Sequence, residues 1–175
     1  MLNLGGFANA TLLPTRSASP SGVAEAATLL DADAEDAPLL RRALAVRGLD
    51  LCACNQVLDA CARRVLGRAF DENGATASRG RIEAPGAADA RDELLALLRA
   101  QGSQRRSLGS GDEAGAWVER WAGRVEGPSL LRAACDAVGG AIGEGLARAA
   151  GAKGEPLAEV LLAGGGARNL ALVEA

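Results

Sequence analysis

"LAEVLLAGGGARNLALVEA", residues 157–175, reads as a strand, a glycine turn and the start of a helix. Leu157 to Ala163 is a short apolar run closed by Gly164, Gly165 and Gly166, and helix formers return from Ala167. A strand that feeds a helix through a tight turn is the elementary connection of an α/β protein. Glycine at such a turn lets main chain pass close to a neighbour or a bound molecule. It also permits positive φ, so that successive amides converge on an anion. A helix N-terminus behind the turn adds exposed N–H groups. The turn is not a dinucleotide fingerprint, because Asn169 stands where the third glycine belongs, and no G-x-x-x-x-G-K-[ST] phosphate loop occurs in the chain.

A second glycine turn lies in "NLGGFANATLLP", residues 3–14. Gly5 and Gly6 separate two short apolar runs, which predicts a pair of strands closed by Pro14. Residues 15–37 are rich in Ser, Ala, Asp and Pro and read as an irregular loop. "PLLRRALAVRGLDL", residues 38–51, predicts a short amphipathic helix and then a strand over Ala45–Leu51. Val57, Leu58, Cys61, Val65 and Leu66 recur at helical spacing, so Asn55–Leu66 is expected to be a helix with Asn55 and Asp59 on one side of its start. "FDENGATASRGRIEAPG", residues 70–86, is turn-rich. Helices are expected over Ala88–Ala100 and over Glu113–Ala122, which carries Trp117 and Trp121, with a loop over residues 101–115. A long helix over residues 129–150 carries the stripe Leu131, Cys135, Val138, Ile142 and Leu146. No internal repeat is visible.

Composition removes several chemistries. The chain has 175 residues and no histidine, which excludes Ser-His-Asp and Cys-His nucleophiles, histidine bases and histidine zinc ligands. Aromatic residues are 2% with no tyrosine, too few to stack a nucleic-acid strand. A net charge of −3 argues against non-specific binding to nucleic acid or to an anionic membrane. Cys52, Cys54, Cys61 and Cys135 form no C-x-x-C pair; Cys52, Cys54 and Cys61 could hold a soft metal, but small buried thiols in a reduced cytoplasm are the expectation. No leader-like start and no apolar run of about 18 residues is present, which fits a cytoplasmic chain.

Taken in order, "NLGGFANATLLP", "GLDLCACNQVLDA", "FDENGATASRGRI", "SLGSGDEAGAWVERW" and "EVLLAGGGARNLAL" resemble the anhydro-N-acetylmuramic acid kinases, sugar kinases of the acetate kinase and actin superfamily. That family carries N-L-G-G-I-A-N-x-T, D-T-G-P-G-N-x-L-x-D, F/Y-D-x-x-G-x-x-A-x-x-G-R-V, S-T-G-R-E and C-G-G-G-A-R-N in the same order. The resemblance implies ATP-dependent phosphorylation of 1,6-anhydro-N-acetylmuramic acid in cell-wall recycling, with magnesium as the companion of ATP. It implies an α/β fold, a mixed sheet of about three to five strands flanked by helices. Residues 1–175 would be one partial domain, the C-terminal ATP-binding lobe of an actin-like kinase. By the resemblance Gly5, Gly6 and Asn9 lie on the phosphate-side bend. Gly164, Gly165, Gly166, Arg168 and Asn169 lie on the adenosine-side turn, and Asp50 and Asn55 belong to the segment between them.

The chain departs from the family in three ways. Cys52-Ala53-Cys54 replaces Gly-Pro-Gly, which is expected to strain the backbone by about 1 kcal/mol if either cysteine takes positive φ. "SLGSGDE" keeps Ser107 and Gly109 but shifts the family's arginine and glutamate. The G-T-S-x-D-G-x-D phosphate loop and the D-F-R-x-x-D segment with its catalytic aspartate, both expected before Met1, are not among these residues. Asp50 is a candidate to touch a metal-bound water, Asp59 reads as a solvated acid of the first helical turn, and Arg47, Arg105 and Arg106 read as exposed ion-pair residues. The expectation is a kinase fragment inactive by itself, its partner being the missing lobe or a second copy. The alternatives are a degenerate relative serving as a nucleotide-binding or interaction module, and an unrelated small α/β domain whose glycines are only turns.

Overall fold

A computed structural model describes residues 1–13, 43, 46–104, 106–112, 114–151 and 157–175. The readings made for Pro14, residues 15–37, the short helix before Ala45 and Arg105 fall outside the described residues. The chain is α/β. Among the described residues its sheet has four strands: β1 (Leu2–Leu4), β2 (Phe7–Leu12), β3 (Arg47–Ala53) and β4 (Leu162–Ala163), in the order β3-β2-β1-β4. β2 runs antiparallel to both β1 and β3, and β4 lies parallel to β1. Among the described residues the α-helices are α1 (Asn55–Leu66), α2 (Ala87–Ser103), α3 (Gly115–Trp121), α4 (Gly127–Gly151) and the single turn α5 (Leu170–Val173).

Strand register sorts the side chains. Leu2 stands opposite Ala10 and Leu4 opposite Ala8, and Ala8 stands opposite Cys52. All five are buried, in one core with Val57, Leu58 and Cys61 of α1 and Leu131, Cys135 and Val138 of α4. The alternate positions carry Asn3, Asn9 and Asp50, which are in register with one another across three strands. A bulge between the Ala8 and Asn9 pairings leaves Leu51 as the extra residue of β3. Leu51 turns into the helical layer, where Gly102 of α2 lies against its carbonyl and Gly145 of α4 against its side chain.

The helices follow their sequence signals with local differences. α1 ends at Gly67, whose left-handed backbone (φ 65°) returns its N–H to Arg63 O, and Arg63 and Arg64 occupy the last turn, where cations suit the helix dipole. α2 runs three residues beyond the expected end, to Ser103. Tertiary contacts hold that extension: the Gln101 side chain accepts the Ala53 N–H at 2.9 Å and donates to Asp112 O at 2.6 Å. α3 is fixed to α2 by its tryptophans, with Trp117 Nε1 donating to Ala90 O and Trp121 Nε1 to Glu93.

Two strand expectations need correction. The strand placed at Ala45–Leu51 is Arg47–Ala53, because its pairing continues to Phe7 of β2. The strand placed at Leu157–Ala163 shrinks to Leu162–Ala163. Its neighbour β1 is three residues long and begins at Leu2, whose N–H reaches Leu161 O at 2.7 Å. The residues before Leu161 therefore have no ladder partner in β1, and Val160, Leu161 and Leu162 stay exposed.

Because β1, β3 and β4 point the same way, their carboxyl ends share one edge of the sheet. The Gly5–Gly6 bend, the Cys54–Asn55 connection into α1 and the Gly164–Gly166 turn all emerge there. Ligands of open α/β sheets settle in the crevice outside this edge.

Candidate functional site

Asn55, the first residue of α1, joins the two glycine bends. Its backbone N–H donates to Gly5 O at 3.0 Å, and its Nδ2 donates to Leu4 O at 3.1 Å. Gly165 and Gly166 lie directly against the same side-chain amide. The N–H groups of Cys54 and Gln56 also donate to Gly6 O, so the hairpin bend is bonded to the start of α1.

Two hollows open on either side of that helix start. The first, about 350 Å³, is walled by Asn55 and Asp59 of α1, Phe70 to Asn73, Leu131 and Cys135 of α4, and Gly165, Gly166, Arg168 and Asn169. The second, about 440 Å³, is walled by Gly6, Asn55, Gln56, Asp59, Arg63 and Gly115. Asn55 and Asp59 belong to both. Each glycine bend thus faces a hollow, and one turn of helix separates the two.

The expected site residues divide into those gathered here and those that are not. Gly6, Asn55, Gly165, Gly166, Arg168 and Asn169 line the hollows. Gly5 is spent on the helix start through its carbonyl. Asn9 and Asp50 sit mid-strand and line neither hollow. Their side chains are bonded to each other across β2 and β3, and Asp50 also accepts the Leu108 N–H at 2.8 Å. Asp50 therefore anchors the 106–112 loop to the sheet instead of facing the crevice.

Three glycine and helix expectations also change. Gly5 and Gly6 have no positive φ; within the triplet only Gly164 does (φ 86°). The triplet leads into the expected helix start by way of a 3-10 turn over Gly165–Arg168, and Asn169 caps α5, its Oδ1 accepting the Leu172 N–H at 3.1 Å. Asn169 Nδ2 lies against Cys135 Sγ, so this residue is occupied by the fold. Among the described residues the one non-glycine with positive φ is Asn73, so neither Cys52 nor Cys54 carries the strain expected of them.

Burial pushes the thiols of Cys54, Cys61 and Cys135 up to about 12 and raises Cys52 as well. No group of three His, Cys, Asp or Glu residues arranged for a metal occurs among the described residues. Asp59 is half-buried, not solvated. Burial raises its carboxyl above the ordinary aspartate value, and Arg63, one turn on, pulls it back. Arg106 is paired with Asp112, as expected of an exposed arginine, and Arg47 donates to Ala149 O at 2.9 Å.

Sequence reasoning did not bring Phe70, Glu72 and Asn73 to the first hollow, nor Asp59 to the wall of both. The signal was the Asp71 turn: its carboxylate accepts the N–H groups of Thr76 and Ala77 at 2.8–3.0 Å, which closes the turn, and Gly74 within it lies against Asn169 and Ala171 of α5. No helix among the described residues is long and apolar enough to cross a membrane. Comparison of the chain with models of protein families and with curated proteins gives no match to either.

Proposed function

We propose that the chain is the C-terminal, nucleotide-binding lobe of an actin-like sugar kinase of the anhydro-N-acetylmuramic acid kinase type. In this reading it takes ATP with magnesium at the carboxyl edge of its sheet. The observation that carries the reading is that two glycine bends about 160 residues apart in sequence are tied together through Asn55 and face adjoining hollows. The residues suit the cofactor. Gly165 presents bare main chain: a Cβ there would meet only Asn55 Nδ2, at 3.5 Å. The first hollow is of the size that encloses a small ligand, about 300 Å³ or more. Arg168 is exposed at its wall and forms no ion pair among the described residues, leaving a planar guanidinium free to stack on a base. ATP supplies the phosphoryl group and magnesium neutralises its charge; Gly165 and Arg168 would hold the nucleoside side, and Gly6 the phosphate side.

Phosphoryl transfer needs a positioned base beside charge neutralisation. The D-F-R-x-x-D aspartate is not among these residues, and Asp50 is bonded into the sheet, so in this reading the residues bind nucleotide without transferring phosphate themselves. The exposed strand edge at Val160, Leu161 and Leu162 is then the seat of the partner lobe or of a second copy. Self-association in sedimentation, reduced by Leu161→Lys, is the expected sign of that edge. Self-association left unchanged by Leu161→Lys would remove it.

Calorimetric titration with ATP and magnesium tests the reading. The wild-type chain is expected to give saturable heat at millimolar nucleotide, and Gly165→Val to remove it while far-ultraviolet circular dichroism stays unchanged. No heat from the wild type, or undiminished binding by the variant, would overturn the assignment.

A further inference from the structure

The chain has four aromatic residues, two phenylalanines and two tryptophans. Trp117 is buried, and Phe7 and Trp121 pack against the core. Phe70 is 58% exposed and stands on the wall of the first hollow. A ring left outside the core gives the fold little for its apolar face. Arg168, on the wall of the same hollow, is exposed and unpaired among the described residues. The two groups are carried by segments that touch. The Asp71 carboxylate closes the turn that follows Phe70, and Gly74 in that turn lies against Asn169, the neighbour of Arg168. A flat ring and a flat guanidinium are thus held on two packed segments at one hollow.

Resting on the nucleotide reading above, we infer that Phe70 is a base-positioning residue that, with Arg168, clamps a purine by its two faces. The site therefore takes purine nucleotides as a class and does not select adenine over guanine. Charge assigns the base to this hollow. Asp59, Asp71 and Glu72 line it against one arginine, Arg168, which disfavours phosphate and suits the uncharged end of a nucleotide. Stacking asks only for a π-face, which every base has, and a guanidinium stacks on aromatic planes as a ring does. Reading the edge of a base would need a polar side chain held beside it. The Asn55 amide is given to Leu4 O, Asn169 caps α5, and Asp71 is spent within its own turn. No bond among the described residues fixes the side chains of Asp59, Glu72 or Asn73. Face contact is what the hollow offers, and the larger ring system of a purine makes more of it than a pyrimidine does.

The test is calorimetry of the full chain with ATP, GTP, CTP and inorganic tripolyphosphate, all in magnesium. The wild type is expected to bind ATP and GTP within about threefold of each other, and CTP about tenfold more weakly. Phe70→Ala should weaken ATP and GTP about tenfold and leave tripolyphosphate unchanged. Phe70→Trp should keep both affinities, and ATP should quench the added indole fluorescence beyond any change seen in the wild type. The ring lies largely outside the core, so an unchanged urea midpoint is expected of both variants. Purine affinity untouched by Phe70→Ala, or tripolyphosphate weakened by it as much as ATP, overturns the inference while the nucleotide reading stands. An unquenched indole in Phe70→Trp, CTP bound as tightly as ATP, or ATP and GTP more than about tenfold apart does the same. Failure of the wild type to bind any of the three nucleotides overturns both.

Discussion

The Gly5–Gly6 bend and the Gly164–Gly166 turn are both runs of glycine at one edge of the sheet, yet their glycines serve different ends. A Cβ at Gly164 would stand 2.7 Å from Leu4 O on a backbone already at φ 86°, and one at Gly166 would stand 2.8 Å from Leu4 Cβ. Those two glycines let the turn close onto β1. At Gly5 the nearest atom to a Cβ is Phe7 O at 3.5 Å, and at Gly6 it is Gln56 Cγ at 3.4 Å; φ is ordinary at both. Gly165 is equally unconfined, with one neighbour at 3.5 Å. A glycine that the fold demands says nothing about ligands. A glycine that the fold could replace, at the edge of a hollow, is the one that points to a ligand.

The largest effect that could break this comparison is at Gly164. Gly164→Val is expected to destabilise the chain by about 3 kcal/mol, from positive φ and a clash with backbone together. The urea midpoint measures it, and an unmoved midpoint would mean the turn does not close on Leu4. Next comes the tie between the bends. Asn55→Ala leaves the Leu4 carbonyl without its side-chain donor and should lower stability by about 1–2 kcal/mol. Equal stability of variant and wild type would show that the bends hold together without it. Gly6→Ala should change stability by no more than about 0.5 kcal/mol while weakening ATP, since the added methyl makes little contact inside the protein. A loss well above that would make both bends alike and remove the distinction.

The smallest expected effect is a control away from the hollows. Arg106 donates to both carboxylate oxygens of Asp112, and the Gly109 N–H adds a third bond, which together hold that carboxyl at about 2. A depressed aspartate stabilises the fold above its unfolded value near 4 and loses that contribution as pH falls through the folded value. The Gly109 amide should therefore resist exchange down to about pH 4 and lose protection between about pH 4 and 2. Protection lost already near neutral pH would show that the clasp does not form in solution.

Much of the fold was legible because helices declare themselves locally. Val57, Leu58 and Cys61 of α1, and Leu131, Cys135 and Val138 of α4, recur at helical spacing and are buried as that spacing requires. Strands were less legible, because pairing sets their ends. β4 stops where β1 stops, and nothing within "LAEVLLA" could announce that. The site was half legible. Glycine runs marked the bends, but whether Asn9 and Asp50 face the crevice or each other depends on the register of β2 against β3. Asp59 was visible as an acid near a helix start; its place between two hollows was not.

Glycine runs, helical spacing and the absence of histidine are local facts, and the residues alone determined them: an α/β chain with two turns of bare main chain and no imidazole chemistry. Which end of the sheet those turns share, which glycines are free of the fold and which carboxylate stands between the hollows were decided only by strand order and register. Those properties arise between segments far apart in the chain, where neither composition nor periodicity reaches.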